Sequence, residues 1–366
     1  MRNSHLSESE KELLNVLGTN SDMTLKQLVD RTQYKRVNTI IKKIEEFKNQ
    51  GILYGPFHEI DYSKLCKNFL RTVICILELA MSYETVVSYL TLIEPIRRLY
   101  PVLSPRKEFI NTLFLTSDVA ELKCLFQMLT ENGVLADYTV RIPTHKKIME
   151  SPNFFGDPTP SLDNLLDSCT VPDMSLGSHD TTWNACDISI LNYFRTGYKG
   201  GKLIEILKAE KKLNKSWTYE QIKYSHRKML KNGLIKKRYF MFPFSYDQCT
   251  DFNLYVKTED RDLTQRIIYN FARGERVSKE YMLCEEWGYV GFASHPQFLT
   301  GLMPKLNRID EIVEKEIYPL RSVTERGSIR SMPLVLEYFD VDNQTLYYPY
   351  HVYQEKIKEK SEHMRG

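Results

Sequence analysis

Apolar residues recur every three or four positions along three successive stretches near the amino terminus, Leu6 to Leu17, Thr24 to Thr32 and about Arg36 to Gln50. That spacing predicts three helices, with Thr24 in a capping position and Gly51 ending the third. From Ile52 to Ile60 the pattern turns strand-like, and Gly55 and Pro56 at a bend predict a two-stranded hairpin. Beyond it, strand-like runs at Phe69 to Leu79, Ile96 to Leu103, Phe109 to Thr116 and Val134 to Ile142 enclose helical periodicity at Tyr83 to Ile93 and Val119 to Leu129. The order is βαββαβ.

The same series returns further along. Ile188 to Phe194, Lys202 to Leu213 and Thr218 to Asn232 read as helices, Gly233 stops the last, and Leu234 to Phe244 supplies a second hairpin. Phe252 to Lys257, Leu263 to Phe271, Glu280 to Cys284, Tyr289 to Ser294, Phe298 to Leu306 and Ile312 to Leu320 repeat βαββαβ, the ferredoxin-like arrangement. Aligning Gly51 with Gly233 lays Val37, Ile40, Ile44 and Phe47 over Tyr219, Ile222, His226 and Met229, a matching inward stripe on both third helices. We read this as an internal repeat. The expected fold is α+β, with winged helix-turn-helix domains at 1–65 and 187–248, each followed by a ferredoxin-like domain, at 66–143 and 249–325.

Between them, at 144–186, Pro152, Gly156, Pro158, Pro160, Pro172 and Gly177 break the pattern and predict a linker. Its Phe154, Phe155, Leu165 and Leu166 suggest docking on a neighbouring surface. The extension at 326–366 reads as a β-hairpin, Leu334 to Val341 and Thr345 to Val352 about an Asp342-Asn343 turn, with a frayed charged end.

Composition excludes classes without choosing a function. Hydrophobic residues at 42% and charged residues at 27% are those of a folded globular chain. No apolar run is long enough to cross a membrane, and the amino terminus lacks the apolar core of a secretory signal, so a cytoplasmic, nucleoid-associated location is expected. Seven cysteines without a CxxC pair read as reduced thiols. The net charge of +3 matters only through its distribution. Residues 1–65 hold ten lysines and arginines against nine acids, whereas Lys199 to Arg238 hold thirteen against Glu205, Glu210 and Glu220.

LSESEKELL at Leu6 to Leu14, TLKQLVDRT after it, a third helix closing on FKNQGIL, and the run into DYSKL at Asp61 to Leu65 resemble the amino-terminal domain of the Lrp/AsnC (feast/famine) transcription regulators. The resemblance covers about 1–143 and, more loosely, 187–325. It departs at the Gly-x-Tyr-Asp-like turn before the third strand, where the first block has Pro105-Arg106-Lys107-Glu108-Phe109 and the second Trp287-Gly288-Tyr289-Val290-Gly291. No small-molecule effector is therefore carried over. The resemblance implies ferredoxin-like domains that pair through their sheets, so that one chain acts as a pseudo-dimer on double-stranded DNA. The tyrosine-rich tail offers a surface for a further homodimer.

A recognition helix buries one face and turns cations and amides outward, toward phosphates and base edges in the major groove. In the first copy Lys35, Arg36, Lys42 and Lys43 are the phosphate candidates, with Asn38 and Thr39 as base readers. In the second, Lys215, Lys223, Arg227, Lys228 and Lys231 mark the helix and its entry, Gln221 and Tyr224 stand where Thr39 and Lys42 do, and Lys236, Lys237 and Arg238 lie in the wing. Each neutralised phosphate releases counterions, which makes such binding fall steeply with salt. His226 and Tyr219 read as core.

Chemistry is not announced. HExxH, GxSxG and GxGxxG are absent, and Lys199-Gly200-Gly201-Lys202 lacks the first glycine and the Ser/Thr of a P-loop. Cys284, Glu285, Glu286 and His295 read as a strand end and not a metal site. The expectation is a regulator that is not an enzyme, with no cofactor and no metal. One alternative is an enzyme resembling the siroheme decarboxylases, which share this architecture. It requires basic and histidine residues converging in a ferredoxin-domain pocket, where Arg97, Arg98, Arg106, His295 and Lys305 are scattered candidates. The other is a winged helix turned protein-interaction module in a transcription complex, for which the near-neutral first copy is the argument.

Overall fold

The computed structural model describes residues 6–321 and 330–365. Its first part comprises α1 (Glu8–Thr19), α2 (Leu25–Arg31), α3 (Val37–Asn49) and β1 (Leu53–Ile60), then β2 (Arg71–Leu79), α4 (Tyr83–Leu90), β3 (Ile96–Pro101), β4 (Phe109–Thr116), α5 (Val119–Glu131) and β5 (Leu135–Arg141). A short β6 (Ile148–Glu150) follows. The series then runs again, as α6 (Ala185–Thr196), α7 (Leu203–Lys212), α8 (Tyr219–Lys231), β7 (Ile235–Met241), β8 (Thr250–Lys257), α9 (Arg261–Asn270), β9 (Ser278–Cys284), β10 (Trp287–Ser294), α10 (Pro296–Leu306) and β11 (Glu314–Pro319). The chain ends in β12 (Arg330–Ser331), β13 (Phe339–Asp340), β14 (Thr345–Leu346) and α11 (Tyr350–Arg365).

Local chemistry sets the helix ends. Ser7, Thr24, Asn184 and Thr218 open α1, α2, α6 and α8 with reciprocal capping boxes, closed by Glu10, Gln27, Asp187 and Gln221. Gly51 and Gly233 end α3 and α8 at φ 67 and 68, the left-handed turn that only glycine enters without strain.

Two five-stranded antiparallel sheets carry the ferredoxin-like order, β12-β3-β4-β2-β5 and β11-β8-β10-β9-β6. The α+β expectation holds. The sheets face each other, with Ile74, Ile76, Phe109 and Leu113 of the first in one apolar cluster with Tyr255 and Met282 of the second. Arg141 crosses the seam, stacking 3.9 Å from the Trp287 ring centroid and bonding Glu316 at 3.0 Å.

The wings differ from expectation. Neither is a hairpin: β1 and β7 are single strands that pair with each other, Leu53 opposite Met241 and Ile60 opposite Ile235. The Gly55-Pro56 bend is a bulge within β1, where the register shifts between Tyr54 and Phe57. The turn signal at Gly55-Pro56 bends the strand without reversing it, because the partner strand β7 lies far along the chain.

The linker docks. Phe154 enters the core of the first three helices beside Leu13, Leu17 and Met241, and Leu162, Leu165 and Met174 enter the inter-sheet cluster. Phe155 and Leu166 face solvent. The tail corrects the sequence reading again. β13 and β14 make a hairpin of two residues a strand, and the rest is a helix where a strand and a frayed end were expected. Tyr350, Tyr353, Ile357 and Ser361 are buried, a helical spacing hidden among lysines and glutamates. Tyr353 donates to Glu94 at 3.0 Å and Lys360 to the Ser88 carbonyl at 2.9 Å, tying α11 to α4 and the turn after it.

Candidate nucleic-acid interface

The third helix of each set, α3 and α8, turns one stripe inward and the rest out. Ile40, Ile44 and Phe47 are buried in α3, and Ile222, Ser225 and Met229 in α8. Val37 and Tyr219, expected in the stripes, are 36% and 40% exposed because they sit on the first turns, beyond the packed neighbours. On the outer face of α3 and its entry, Lys35, Arg36, Asn38, Thr39 and Lys42 are exposed, as are Lys215, Gln221, Tyr224, Arg227 and Lys231 about α8. Tyr224, 65% exposed, is the most open aromatic on either helix.

Several cations of the sequence set are spent inside the protein. Lys43 bonds Glu10 at 3.0 Å and Glu46 at 2.6 Å, and these two carboxylates hold its ammonium above the ordinary lysine range. Lys228 is pinned to the fully buried Asp187 at 2.6 Å, donates to the Thr182 carbonyl and lies over the Trp183 ring. Lys223 pairs with Glu220 at 3.2 Å. Gln221 accepts the Thr218 amide at 2.8 Å, so its carbonyl oxygen is a cap as well as a candidate reader.

The strand pairing relocates the wing residues. Lys236, Lys237 and Arg238 lie opposite Glu59, His58 and Phe57 in the β1–β7 ribbon. Arg238 bonds Glu59 at 3.1 Å and Lys237 lies over the Tyr239 ring, which leaves Lys236 as the exposed cation of the three. Around the ribbon the two halves interlock. His58 of β1 meets Phe194 of α6 and His226 of α8, with ring centroids 5.3 and 5.6 Å away, and His226 stacks on Phe194 at 4.6 Å. His58 Nδ1 and His226 Nε2 are buried without a hydrogen-bond partner among the described residues. Burial, then the neighbouring His226, pushes His58 down to about 4, and burial lowers His226 as well. This histidine pair was invisible in the sequence, where only His226 stood on a recognisable stripe.

The residues named for a tetrapyrrole enzyme lie on several segments. Arg97 and Arg98 lie on β3 and Arg106 in the exposed turn after it. His295 caps α10, its Nδ1 accepting the Gln297 amide, and packs on Phe244. Lys305 donates to the Pro160 carbonyl at 2.7 Å. Among the described residues no three His, Cys, Asp or Glu side chains are placed to hold a metal ion, and no helix is long and apolar enough to cross a membrane.

No protein-family model and no curated protein matches the chain. Among solved structures, a siroheme decarboxylase in complex with an iron-uroporphyrin III analogue is similar over 96% of this chain and 99% of its own, at 10% identity and a TM-score of 0.51. A second crystal structure of the siroheme decarboxylase aligns over 98% of this chain and 100% of its own, with a TM-score of 0.48 and 10% identity. A transcriptional regulatory protein of the AsnC family from Pyrococcus furiosus is similar over 37% of this chain and 88% of its own, at 20% identity and a TM-score of 0.25. The full-length likeness is one of fold, and the fold is one that an enzyme uses. That overturns the expectation that the chain is not an enzyme, which had rested on missing sequence motifs.

Proposed function

We propose that the chain binds duplex DNA through α3 and α8, two readers held at a fixed separation by the β1–β7 ribbon and the facing sheets. The observation that carries the reading is the set of exposed cations without an ion pair to any described residue, Lys35, Arg36 and Lys42 on one side and Lys215, Arg227, Lys231 and Lys236 on the other. Each can neutralise a phosphate and release a counterion, which fixes register without reading sequence. Asn38 and Thr39 then reach base edges, and the Tyr224 ring offers an apolar face to a thymine methyl. Lys43, Lys228 and Arg238 act by holding the helices and ribbon in place.

The test is fluorescence anisotropy of the full chain on labelled duplex fragments across a salt series, with the bound fraction recovered and sequenced. Steep salt dependence with an enriched motif supports a sequence-specific regulator. Binding that is weak and flat with salt overturns the reading.

A second reading, a decarboxylase acting on a carboxylated tetrapyrrole, draws on the fold shared along the whole length with the siroheme decarboxylase. Of its candidate residues, Arg97 and Arg98 adjoin on β3, while Arg106, His295 and Lys305 lie on other segments. Titration with iron-uroporphyrin III, followed by its absorption band, decides it: a saturable spectral shift favours the enzyme, and an unchanged spectrum removes it.

A further inference from the structure

We propose that Arg97 and Arg195 form a binding site for a small oxyanion, a phosphate or a polycarboxylate, where β3, α6 and the carboxy-terminal extension meet. The inference stands independently of DNA binding.

Arg97 is 5% exposed, and among the described residues neither of its terminal nitrogens has a partner of good hydrogen-bond geometry, the Tyr62 hydroxyl being the polar group beside it. A second arginine reaches the same junction through Met332, whose amide bonds the Arg97 carbonyl. Arg195 of α6 has an unpartnered buried Nε and spends one terminal nitrogen on the Met332 carbonyl at 2.9 Å. Tyr62 and Tyr348 border Arg97, and among the described residues the charges acting on Arg195 are those of Arg97, Tyr62 and Arg98 and of no carboxylate. Burial first, and then Arg97, pushes Arg195 down to about 10.

A buried guanidinium beside a half-buried one is repelled by it and forgoes hydrogen bonds that water supplied. Elsewhere the protein answers buried cations with acids, as Lys228 has Asp187 and the 1%-exposed Lys279 side chain has Glu150. Here the counter-charge is missing from the described residues. The planar donor fork of arginine matches the oxygens of phosphate and carboxylate, and one oxyanion can bridge two forks. The Met332 backbone already bridges them weakly, its amide donating to the Arg97 carbonyl at 3.0 Å and its carbonyl accepting from Arg195. An oxyanion takes over that carbonyl's place on Arg195. Arg98, the next residue of β3, is bonded to the Tyr100 hydroxyl at 2.7 Å and feels the charge of Glu280. Occupancy ties the first helix of the second set to the edge of the first sheet.

Isothermal titration calorimetry of the full chain at constant ionic strength, with inorganic phosphate and with citrate as separate probes, tests the site. The expected result is a saturable one-to-one heat with at least one probe, weakened at least tenfold in Arg97→Gln and in Arg195→Gln and unchanged in Arg106→Ala. Phosphate alone identifies a phosphate site, and citrate alone a carboxylate site. Because losing a buried arginine can impair folding, wild-type protein labelled with 15N-arginine supplies a second readout, in which two Nε–H resonances shift saturably with the ligand. Absence of saturable heat with both probes overturns the proposal, as do equal heats in the wild type and both folded variants, or static arginine resonances.

Discussion

The two helix-turn-helix sets share an order of elements but use their charge differently. The first is nearly balanced in sequence, yet it leaves Lys35, Arg36 and Lys42 open and commits Lys43 alone among its named cations. The second carries a local excess of ten, thirteen basic residues against three acids between Lys199 and Arg238, yet Lys223, Lys228 and Arg238 are paired internally. The difference teaches that charge counted along a chain is not charge offered at a surface. A lysine beside a buried aspartate is part of the core, whatever its neighbours in sequence suggest.

The sharpest break of the comparison should come from stability. Lys228→Met strands the fully buried Asp187, and we expect a loss of about 3 kcal/mol, whereas exposed Lys231→Ala one turn away should stay within about 0.5 kcal/mol. Denaturant unfolding of both variants checks this, and equal values would return Lys228 to the surface set.

Next in size is the effect on DNA. Alanine at Lys35, Arg36 and Lys42 together, or at Arg227, Lys231 and Lys236 together, should each lower the slope of log affinity against log salt by about 3. Similar losses mean that both helices meet phosphates. A loss confined to the second trio means that the first helix serves another partner.

The interlock of the halves should titrate. The folded values of His58 and His226 lie below the ordinary 6.5, so folding favours their neutral forms. Their contribution is complete above pH 6.5 and is lost as pH falls from there through about 4. Lys237 and Arg227 face the pair and oppose its protonation, while Asp22 favours it. Melting temperature followed from pH 7 to 4 should drop more steeply in the wild type than in His58→Gln, and parallel profiles would exclude the pair as the cause.

The smallest effect belongs to Arg238→Ala. Its partly exposed bond to Glu59 should contribute under about 1 kcal/mol, and the salt slope for DNA should not move. A slope reduced by about 1 would show that the ribbon itself touches phosphate.

Legibility followed distance along the chain. The helices α1 to α3 and α6 to α8 were readable because capping and 3.6-residue periodicity act over a few residues, and the βαββαβ order was readable from alternating runs and short turns. α11 was missed although its stripe was present, since tyrosine and turn signals outweighed four buried positions among charged ones. Of the candidate interface, the residue types and helix faces were readable. Which cations remained free was not, because Glu10, Glu59 and Asp187 come to Lys43, Arg238 and Lys228 from other elements.

By itself the sequence determined the element series, its recurrence, the two inward stripes and the places where glycine must stop a helix, all consequences of steric and hydrophobic preferences within a few residues. The tertiary structure decided that β1 takes β7 as partner, that two sheets face each other, that histidines from both halves lie against one another, and that a half-buried Arg195 comes to the buried Arg97. A strand's hydrogen-bonding edges carry no address. The partner is chosen by which apolar faces must be buried at once, and that condition exists only when the whole chain has folded.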